Sequence, residues 1–228
     1  MADKTPVITI DGPSGTGKGT LCQLLAKHLG WNLLDSGALY RVLALAAKKH
    51  AVEINNEAAL EVLAAHLDVQ FKSNPSMKTI SVILEGETVT DLIRSEECGD
   101  NASVIAQFPK VRAALLQRQR NFAEPPGLVT DGRDMGSVVF PQALMKIYLD
   151  ASVEIRAKRR YSQLKEKGIS ASLPQVVEEL AHRDRRDKER KSAPLCIPKD
   201  AIVIDTTHMS VEQVLTKVLS LLEQHALA

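Results

Sequence analysis

The feature that most constrains the fold is a glycine-rich segment, GPSGTGKGT at residues 12–20, set between two apolar patterns. Before it, residues 7–11 read VITID, a short apolar run of the kind that forms a buried strand. After it, positions 21, 24, 25 and 29 are all leucine, which is a helical spacing, and Gly30 suits the end of that helix. Strand, glycine-rich loop and helix in this order predict a loop that binds the phosphates of a nucleotide.

The loop carries the groups that a polyphosphate needs. Glycines at 12, 15 and 17 allow backbone angles that turn several N–H groups inward, and the start of the helix adds further N–H groups. Lys18 supplies a mobile charge for the β- and γ-phosphates, and a hydroxyl can approach the phosphate or its magnesium ion. Gly19 stands where Ser or Thr usually follows the lysine, and Thr20 comes one residue later. We predict a nucleoside triphosphate site.

Five apolar runs that end in aspartate or lead into glycine predict the main sheet. Because they are nearly continuous rather than alternating, we expect strands buried on both faces, as in a parallel sheet covered by helices. Helical patterns lie between them, including one that Ser36 can cap and one over residues 211–222. The predicted fold class is doubly wound α/β with a five-stranded parallel sheet. The runs are residues 7–12, 32–37, 127–132, 146–150 and 201–207.

Residues 67–91 differ from the rest because apolar and polar residues alternate there, with many β-branched side chains. Two turn-like segments, SNPS at 73–76 and EGE at 85–87, divide this stretch. We predict a small antiparallel sheet inserted between helices, followed by a helix over 95–107 and another that starts at Pro109. We interpret the insertion as a subdomain of a single domain that spans residues 1–228.

Composition narrows the possible partners. The net charge is +1 and aromatic residues make up 4% of the chain, so we expect no nucleic-acid partner. Residues 152–191 hold 12 Lys and Arg against 7 Asp and Glu, a local charge of +5 that suits a small anionic ligand. No apolar run approaches the roughly 20 residues that span a bilayer, and the first run leads into glycines rather than forming a signal peptide. Three cysteines without metal-site spacing and no long apolar seam predict a cytoplasmic monomer.

Charged and hydroxyl side chains follow the predicted strands at the edge where such sheets bind ligands. Asp35 and Ser36 follow the second run, and Asp131 ends the third, where a carboxylate can hold Mg²⁺ directly or through water. Arg133 and Asp134 come next, in DGRDMG, and either face a ligand or form an ion pair with each other. The chain lacks the NKxD segment of guanine-specific switches, so transfer of phosphate to an acceptor is favoured over a hydrolytic switch.

Residues 182–190, HRDRRDKER, form a dense charge run. Continued from the preceding apolar stripe at about 100° per residue, a helix places Arg183, Asp187 and Arg190 on its buried side, while Asp184 points elsewhere. Arg183 and Asp187 could satisfy each other and leave Arg190 free. Two interpretations stay open on this geometry: charges aimed at a ligand, and a salt-bridge network that emerges into water. The charges expected to face water are Arg185, Lys188 and Glu189.

Four motifs, GPSGTGKGT, LLDSGALYR, DGRDMG and RDRRDKER, stand in an order and spacing similar to those of bacterial cytidylate kinases, and the resemblance covers nearly the whole chain. The GKGT form of the loop is typical of nucleoside monophosphate kinases, which accounts for Gly19. The resemblance implies transfer of the γ-phosphoryl group of ATP, with Mg²⁺, to CMP or dCMP. It also implies a monophosphate-binding region at 36–112, with 67–91 as its inserted β-subdomain, and a short lid at about 154–168.

The same resemblance implies roles for individual residues. ATP would be bound by Gly12, Pro13, Ser14, Gly15, Thr16, Gly17, Lys18, Gly19, Thr20, Arg156 and Arg160. The catalytic group would be Lys18, Arg133, Arg159 and Arg190. CMP would be bound by Ser36, Arg41, Arg133 and Arg190 at its phosphate, by Ser103, Arg112 and Asp134 at cytosine, and by Arg183 and Asp187 at the pentose. Asp131, near the acceptor, and Thr20 would hold the metal, partly through water.

Two other functions are compatible with the phosphate loop. One is an ATP-dependent kinase for another nucleoside monophosphate or a small acceptor such as shikimate. The other is a regulator that binds ATP without transferring its phosphate. The regulator leaves the arginines at the predicted acceptor side without a role.

Overall fold

The computed structural model describes residues 5–74, 79–166 and 168–226. The strands are β1 (Val7–Asp11), β2 (Asn32–Asp35), β3 (Val69–Asn74), β4 (Thr79–Leu84), β5 (Glu87–Thr88), β6 (Leu128–Gly132), β7 (Met145–Asp150) and β8 (Ile202–Asp205). The α-helices are α1 (Lys18–Leu29), α2 (Ser36–Lys49), α3 (Glu57–Ala65), α4 (Glu96–Ile105), α5 (Pro109–Arg120), α6 (Val153–Glu166), α7 (Leu173–Glu189) and α8 (Val211–Ala226). A short 3-10 helix covers Leu92–Arg94, and a π-helical turn covers Met135–Val139.

The chain divides into two compact units. Met1–Asp35 and Gln119–Ala228 form the first, which we call the sheet unit, and Ser36–Arg118 forms the second, which we call the helical unit.

Within the described parts of the chain, we find no helix with the length and apolar character that crossing a membrane requires.

The sheet unit contains a parallel sheet in the order β2-β6-β1-β7-β8. All five predicted runs are strands of this sheet, and every neighbouring pair is parallel, so the predicted doubly wound α/β class is confirmed. The carboxyl ends of three strands meet at one edge, because Asp35 is the register partner of Asp131 and Asp11 that of Gly132. The end of β1 leads directly into the phosphate loop at this edge.

One apolar core joins the sheet to α1 and α8. Gly30 ends α1 as predicted, with a left-handed φ of 67° and its N–H bonded to the carbonyl of Ala26. The core includes Ile8, Ile10, Ile147, Leu149 and Ile204 from the sheet, Leu21 and Leu25 from α1, and Val214 and Val218 from α8. A smaller cluster joins α6 to α7 through Ala157, Leu164, Val176 and Leu180.

The helical unit combines helices α2 to α5 with an antiparallel sheet, β3-β4-β5, and shares one apolar core among them. The predicted inserted sheet is therefore confirmed. Glu85 and Gly86 turn the chain between β4 and β5 with φ values of 50° and 82°, whereas half of the predicted SNPS turn lies outside the described residues. The predicted helix over 95–107 is α4, where the Ser95 hydroxyl accepts from the N–H of Cys98, and α5 starts at Pro109 as predicted.

Candidate active site

The loop between β1 and α1 is shaped by its glycines and by two side chains that close over it. The Lys18 ammonium donates to the carbonyl oxygen of Pro13 at 2.6 Å, and the Thr16 hydroxyl donates to the same oxygen at 3.1 Å. Gly12 has a φ of 144°, and a Cβ there would lie 2.0 Å from the carbonyl oxygen of Leu149. Since α1 begins at Lys18, its first N–H groups adjoin the loop, as an anion site requires.

Gly12→Ala is therefore expected to destabilise the protein by about 3 kcal/mol, because the added methyl meets backbone rather than a flexible side chain. The measurement is the urea midpoint of the variant against the wild type. Gly19→Ala is the matched control, since nothing lies within 4 Å of a Cβ at that position. Equal midpoints for Gly12→Ala and the wild type would contradict the loop geometry.

The Lys18 ammonium is buried among charges that come from three other elements. Burial lowers the pKa of Lys18, and the Arg133 charge acts in the same direction, whereas Asp131, Asp11 and Asp187 raise it. A polyphosphate at the loop adds negative charge and therefore favours the protonated, cationic form. The phosphate loop, the end of β6 and α7 thus share one electrostatic environment.

Asp131, one residue before the end of β6, has a buried oxygen, Oδ1, without a hydrogen-bond partner among the described residues. Burial raises the pKa of Asp131, and so does Asp35 beside it on β2, whereas Lys18 and Arg133 lower it. A buried carboxylate oxygen without a protein partner fits a magnesium ligand. Across 5–74, 79–166 and 168–226, no three His, Cys, Asp or Glu side chains group as a metal site. Magnesium is commonly bound by one or two carboxylates together with phosphate and water oxygens. Thr20 is exposed in the first turn of α1.

Two ion pairs connect the segment after β6 to α7 and to Arg190, the residue that follows it. The Arg133 Nε donates to Oδ2 of Asp187 at 2.6 Å, and the buried Arg190 pairs with the buried Asp134 at 3.4 Å. Arg190 also donates to the carbonyl oxygen of Ala193 at 2.6 Å. Arg133 therefore has a partner on α7, and Asp134 has one directly after α7, so the two are not simply a local pair with each other. Of the possibilities left open by the sequence, the one in which Arg190 stays free is not realised.

The predicted phase of the charged segment is confirmed on α7. Asp187 and Arg190 are buried and Arg183 is half-buried, whereas the three charges expected to face water are exposed. Although burial acts to raise it, the pKa of Asp187 lies below its usual value because the positive charges of Arg133, Arg190 and Arg183 surround the carboxylate. The prediction for Asp184 is corrected. This residue was expected to point away from the buried side of the helix, but its side chain is only 13% exposed.

Arg156 on α6 is the partner of Asp184. Its guanidinium donates to the Asp184 carboxylate at 2.6 Å, to the carbonyl oxygen of Ser14 in the phosphate loop at 3.0 Å, and to the carbonyl oxygen of Ala151 at 2.9 Å. A Cβ on Gly15 would lie 3.0 Å from the Cβ of Arg156, so the loop and α6 are in direct contact. Arg156 therefore connects the phosphate loop to α7.

Arg159 on α6 forms hydrogen bonds with the segment that follows β8. It donates to the carbonyl oxygen of Thr206 at 2.6 Å and to its hydroxyl at 3.2 Å. The Thr206 hydroxyl lies 3.2 Å from the carbonyl oxygen of Thr16, so this segment reaches the phosphate loop. Arg160 is half-buried and donates to Gln163 at 3.4 Å. The lid at 154–168 corresponds to α6 and the residues after it, of which residue 167 lies outside the described part; its closure over ATP stays a prediction.

The helical unit places two predicted phosphate ligands on α2. Ser36 is the buried first residue of α2, and Arg41 lies five residues later on the same helix. The Arg41 guanidinium donates to the carbonyl oxygen of Ile93 at 3.1 Å. The Arg41 carbonyl oxygen in turn accepts from the Cys98 thiol at 3.2 Å. Cys98 therefore connects α4 to the turn of α2 that carries Arg41.

The predicted cytosine ligands of the helical unit lie on α4 and α5. The Ser103 hydroxyl on α4 is buried without a hydrogen-bond partner in the described residues. Arg112 on α5 is buried, donates to the carbonyl oxygen of Ala106 at 3.2 Å, and lies over the Tyr40 ring with 5.7 Å to the ring centroid. A buried hydroxyl that no protein group satisfies fits a residue that contacts a ligand.

The residues of both units match one family model, that of cytidylate kinase, over residues 8–224. The chain belongs to the cytidylate kinase family. A cytidylate kinase of Azotobacter vinelandii is 58% identical over 220 residues, which cover 96% of each chain. A second, of Shewanella frigidimarina, is 57% identical over 224 residues, or 98% of each chain. An uncharacterized protein from Eubacterium ventriosum has a TM-score of 0.51 at 11% identity, covering 97% of this chain and 99% of the other, and so shares the fold.

One buried polar residue near the site, Asp11, was not predicted from the sequence. Asp11 is fully buried at the end of β1, where its two carboxylate oxygens accept from the N–H groups of Met135 and Gly136 at 2.9 and 2.8 Å. Burial raises the pKa of Asp11 to about 6, although both N–H donors act to lower it. An acidic residue in an otherwise apolar strand was the available signal, but nothing in the sequence names its distant partners.

Proposed function

We propose that the chain transfers the γ-phosphoryl group of ATP to CMP or dCMP, giving ADP and CDP or dCDP. The observation that carries the proposal is the family match over residues 8–224. The site supports it, because the phosphate loop, Lys18 and the arginines beside it supply what phosphoryl transfer needs, namely alignment and charge compensation.

ATP occupies the loop 12–20 in this proposal. Backbone N–H groups and the start of α1 bind its phosphates, and Lys18 exchanges the Pro13 carbonyl for the β- and γ-phosphate oxygens. Asp131 and Thr20 would hold Mg²⁺, partly through water, and the ion would neutralise charge on the phosphates. Arg156 and Arg160 belong to the ATP side, and Arg159 supports the transferred group from α6.

In this proposal the acceptor phosphate is bound by Ser36, Arg41, Arg133 and Arg190. A phosphate oxygen of CMP attacks the γ-phosphorus as the bond to the bridging oxygen of ADP breaks. As a dianion with a second pKa of about 6, the attacking phosphate has no proton to lose at neutral pH, so no side chain is required as a base. The arginines offset charge that repels the two nucleotides.

Cytosine is read by Ser103, Arg112 and Asp134 in this proposal. A carboxylate and a hydroxyl oxygen can accept from the amine of cytosine, and a guanidinium can donate to its carbonyl and ring nitrogen. Uracil presents a carbonyl in place of the amine, so an acceptor would face an acceptor and binding would be lost. The pentose contacts Arg183 and Asp187.

Asp187→Ala is expected to weaken the fold and the acceptor site together. It removes the 2.6 Å partner of Arg133, whose side chain is 23% exposed, and we expect a loss of about 2 kcal/mol of stability after allowing for solvent. The KM for CMP and for dCMP should rise, while Glu189→Ala on the exposed side of α7 should change neither. Unchanged affinity for both acceptors would remove Asp187 from the site.

An acceptor panel tests the proposed function. ADP release is followed in a coupled assay with ATP and either CMP, dCMP, UMP, AMP, shikimate or no acceptor. The proposal predicts rapid release with CMP or dCMP only. Preference for another acceptor would identify a different kinase, and tight ATP binding without ADP release would identify a regulator.

The proposal extends to the organisation of the chain. Residues 36–112 form the monophosphate-binding region of a domain spanning 1–228, with 67–91 as its inserted β-subdomain, and 154–168 form the lid. The enzyme acts as a cytoplasmic monomer on small nucleotides, without a nucleic-acid or membrane partner. A single species at the monomer mass of 24.9 kDa in analytical ultracentrifugation is the expected result for the assembly state.

A further inference from the structure

Asp11 connects the strand that leads into the phosphate loop to the segment that follows Asp134. It is the last residue of β1 and immediately precedes Gly12, the first residue of the phosphate loop. Its side chain bonds to the backbone of Met135 and Gly136, where each of its oxygens accepts one N–H. These two N–H groups follow Asp134 directly in the chain.

The turn that Asp11 holds lies tightly on β1. Gly136 packs so closely that a Cβ would lie 2.8 Å from Oγ1 of Thr9 and 3.3 Å from Oδ2 of Asp11. Residues 135–139 wind as a π-helical turn, and the N–H groups of Val138 and Val139 both bond to the carbonyl oxygen of Asp134. The backbone of Asp134 is therefore fixed from β1, while its side chain is fixed by Arg190.

A carboxylate suits this task better than any neutral side chain. In the structure each of the two adjacent N–H groups bonds to its own oxygen, and only Asp or Glu offers two acceptor oxygens on one side chain. Asparagine would turn its amide nitrogen toward one N–H and leave that donor buried without a partner. Glutamate has one methylene more than the space between β1 and a glycine-packed turn allows.

We infer that Asp11 is a positioning residue that fixes Asp134 for the acceptor nucleotide from the strand that carries the phosphate loop. Asp134 thereby keeps a constant position relative to the phosphate loop. The identity of the acceptor rests on the proposed function, whereas the tether between β1 and residues 135–136 does not.

The first test combines amide hydrogen exchange with kinetics in Asp11→Asn. Exchange of the Met135 and Gly136 amides should accelerate by about tenfold or more, because one donor loses its acceptor. The KM for CMP should rise by about tenfold and the preference for CMP over UMP should fall, while the KM for ATP stays within about twofold, since the loop contacts are kept. Unchanged exchange together with an unchanged KM for CMP would overturn the inference.

Thr130→Val is the matched control for Asp11→Asn. Thr130 is buried on the neighbouring strand β6, its hydroxyl has no hydrogen-bond partner among the described residues, and valine has the same shape. This variant should leave exchange at residues 135–136 and both KM values as in the wild type. A rise in the KM for CMP as large as that of Asp11→Asn would show a general sensitivity of the sheet and would overturn the inference.

A second pair of variants tests the tether from its other end, in case Asp11→Asn does not fold. Gly136→Ala should raise the KM for CMP, because its methyl meets Thr9 Oγ1 at 2.8 Å. Thr9→Ala in the same chain removes that oxygen and should restore most of the loss. If the wild type used another acceptor, the proposed function would fail, but the exchange results and the KM for that acceptor would still test Asp11. Absence of rescue in the double variant would contradict the described packing.

Discussion

Lys18→Ala is expected to lower turnover by about 10² or more while the protein stays folded. The ammonium lies at the loop, 2.6 Å from the Pro13 carbonyl, and no other lysine side chain in the described residues is buried. Its charge matters most as negative charge spreads over the oxygens of the transferred group, so kcat should fall more than the KM for ATP rises. Steady-state kinetics with CMP and ATP measure both.

Lys27→Ala is the matched control, since Lys27 is exposed on the same helix and its loss should change kcat by less than about twofold. Because Lys18 also lies among Asp131, Asp11 and Asp187, thermal unfolding of Lys18→Ala must be recorded beside its kinetics. A folded Lys18→Ala protein with near-normal kcat would contradict the role of the loop in transfer.

Arg190→Ala is expected to lower turnover by about 10² or more as well, through the acceptor side. Arg190 and Asp134 are 7% and 4% exposed. Because both charges are buried, salt and water screen their interaction only weakly. Truncation also leaves the Asp134 carboxylate buried without its 3.4 Å partner, and we expect a loss of about 3 kcal/mol of stability in addition.

Two further variants distinguish an effect of Arg190→Ala on catalysis from an effect on folding. Arg185→Ala removes an exposed arginine from the same helix and should behave like the wild type. Arg190→Lys keeps the charge but loses the planar fork that bonds both Asp134 and the Ala193 carbonyl, so we expect intermediate turnover. Near-normal turnover in purified, folded Arg190→Ala would remove Arg190 from the mechanism.

The sequence was sufficient for the parts of the structure that depend on local pattern. The central strand reads VITID without alternation because both faces of β1 are covered, and this burial is what the apolar run records. The phase of α7 was predictable for the same reason, since the 3.6-residue period decides which of Asp187 and Lys188 is buried. The phosphate loop needed only its glycines and lysine.

The sequence could not supply the partners of the buried charges, because those depend on how distant elements pack. The carboxylate of Asp187 had a plausible partner four residues away, yet it bonds to Arg133, 54 positions distant. Asp184 was expected to lie off the buried line of α7, and only the packing of α6 against α7 brings Arg156 to it. Asp11 and the amides of residues 135–136 are more than 120 positions apart.

The fate of the γ-phosphoryl group distinguishes a kinase of cytidine monophosphates from other proteins that bind ATP. The protein is incubated with CMP and ATP labelled in its γ-phosphoryl group, and the nucleotides are separated and counted. We predict that the label appears as the β-phosphate of CDP, with one ADP formed for each CDP. Label recovered as inorganic phosphate, or retained in ATP while CMP is unchanged, would contradict the assignment of this chain as a kinase of cytidine monophosphates.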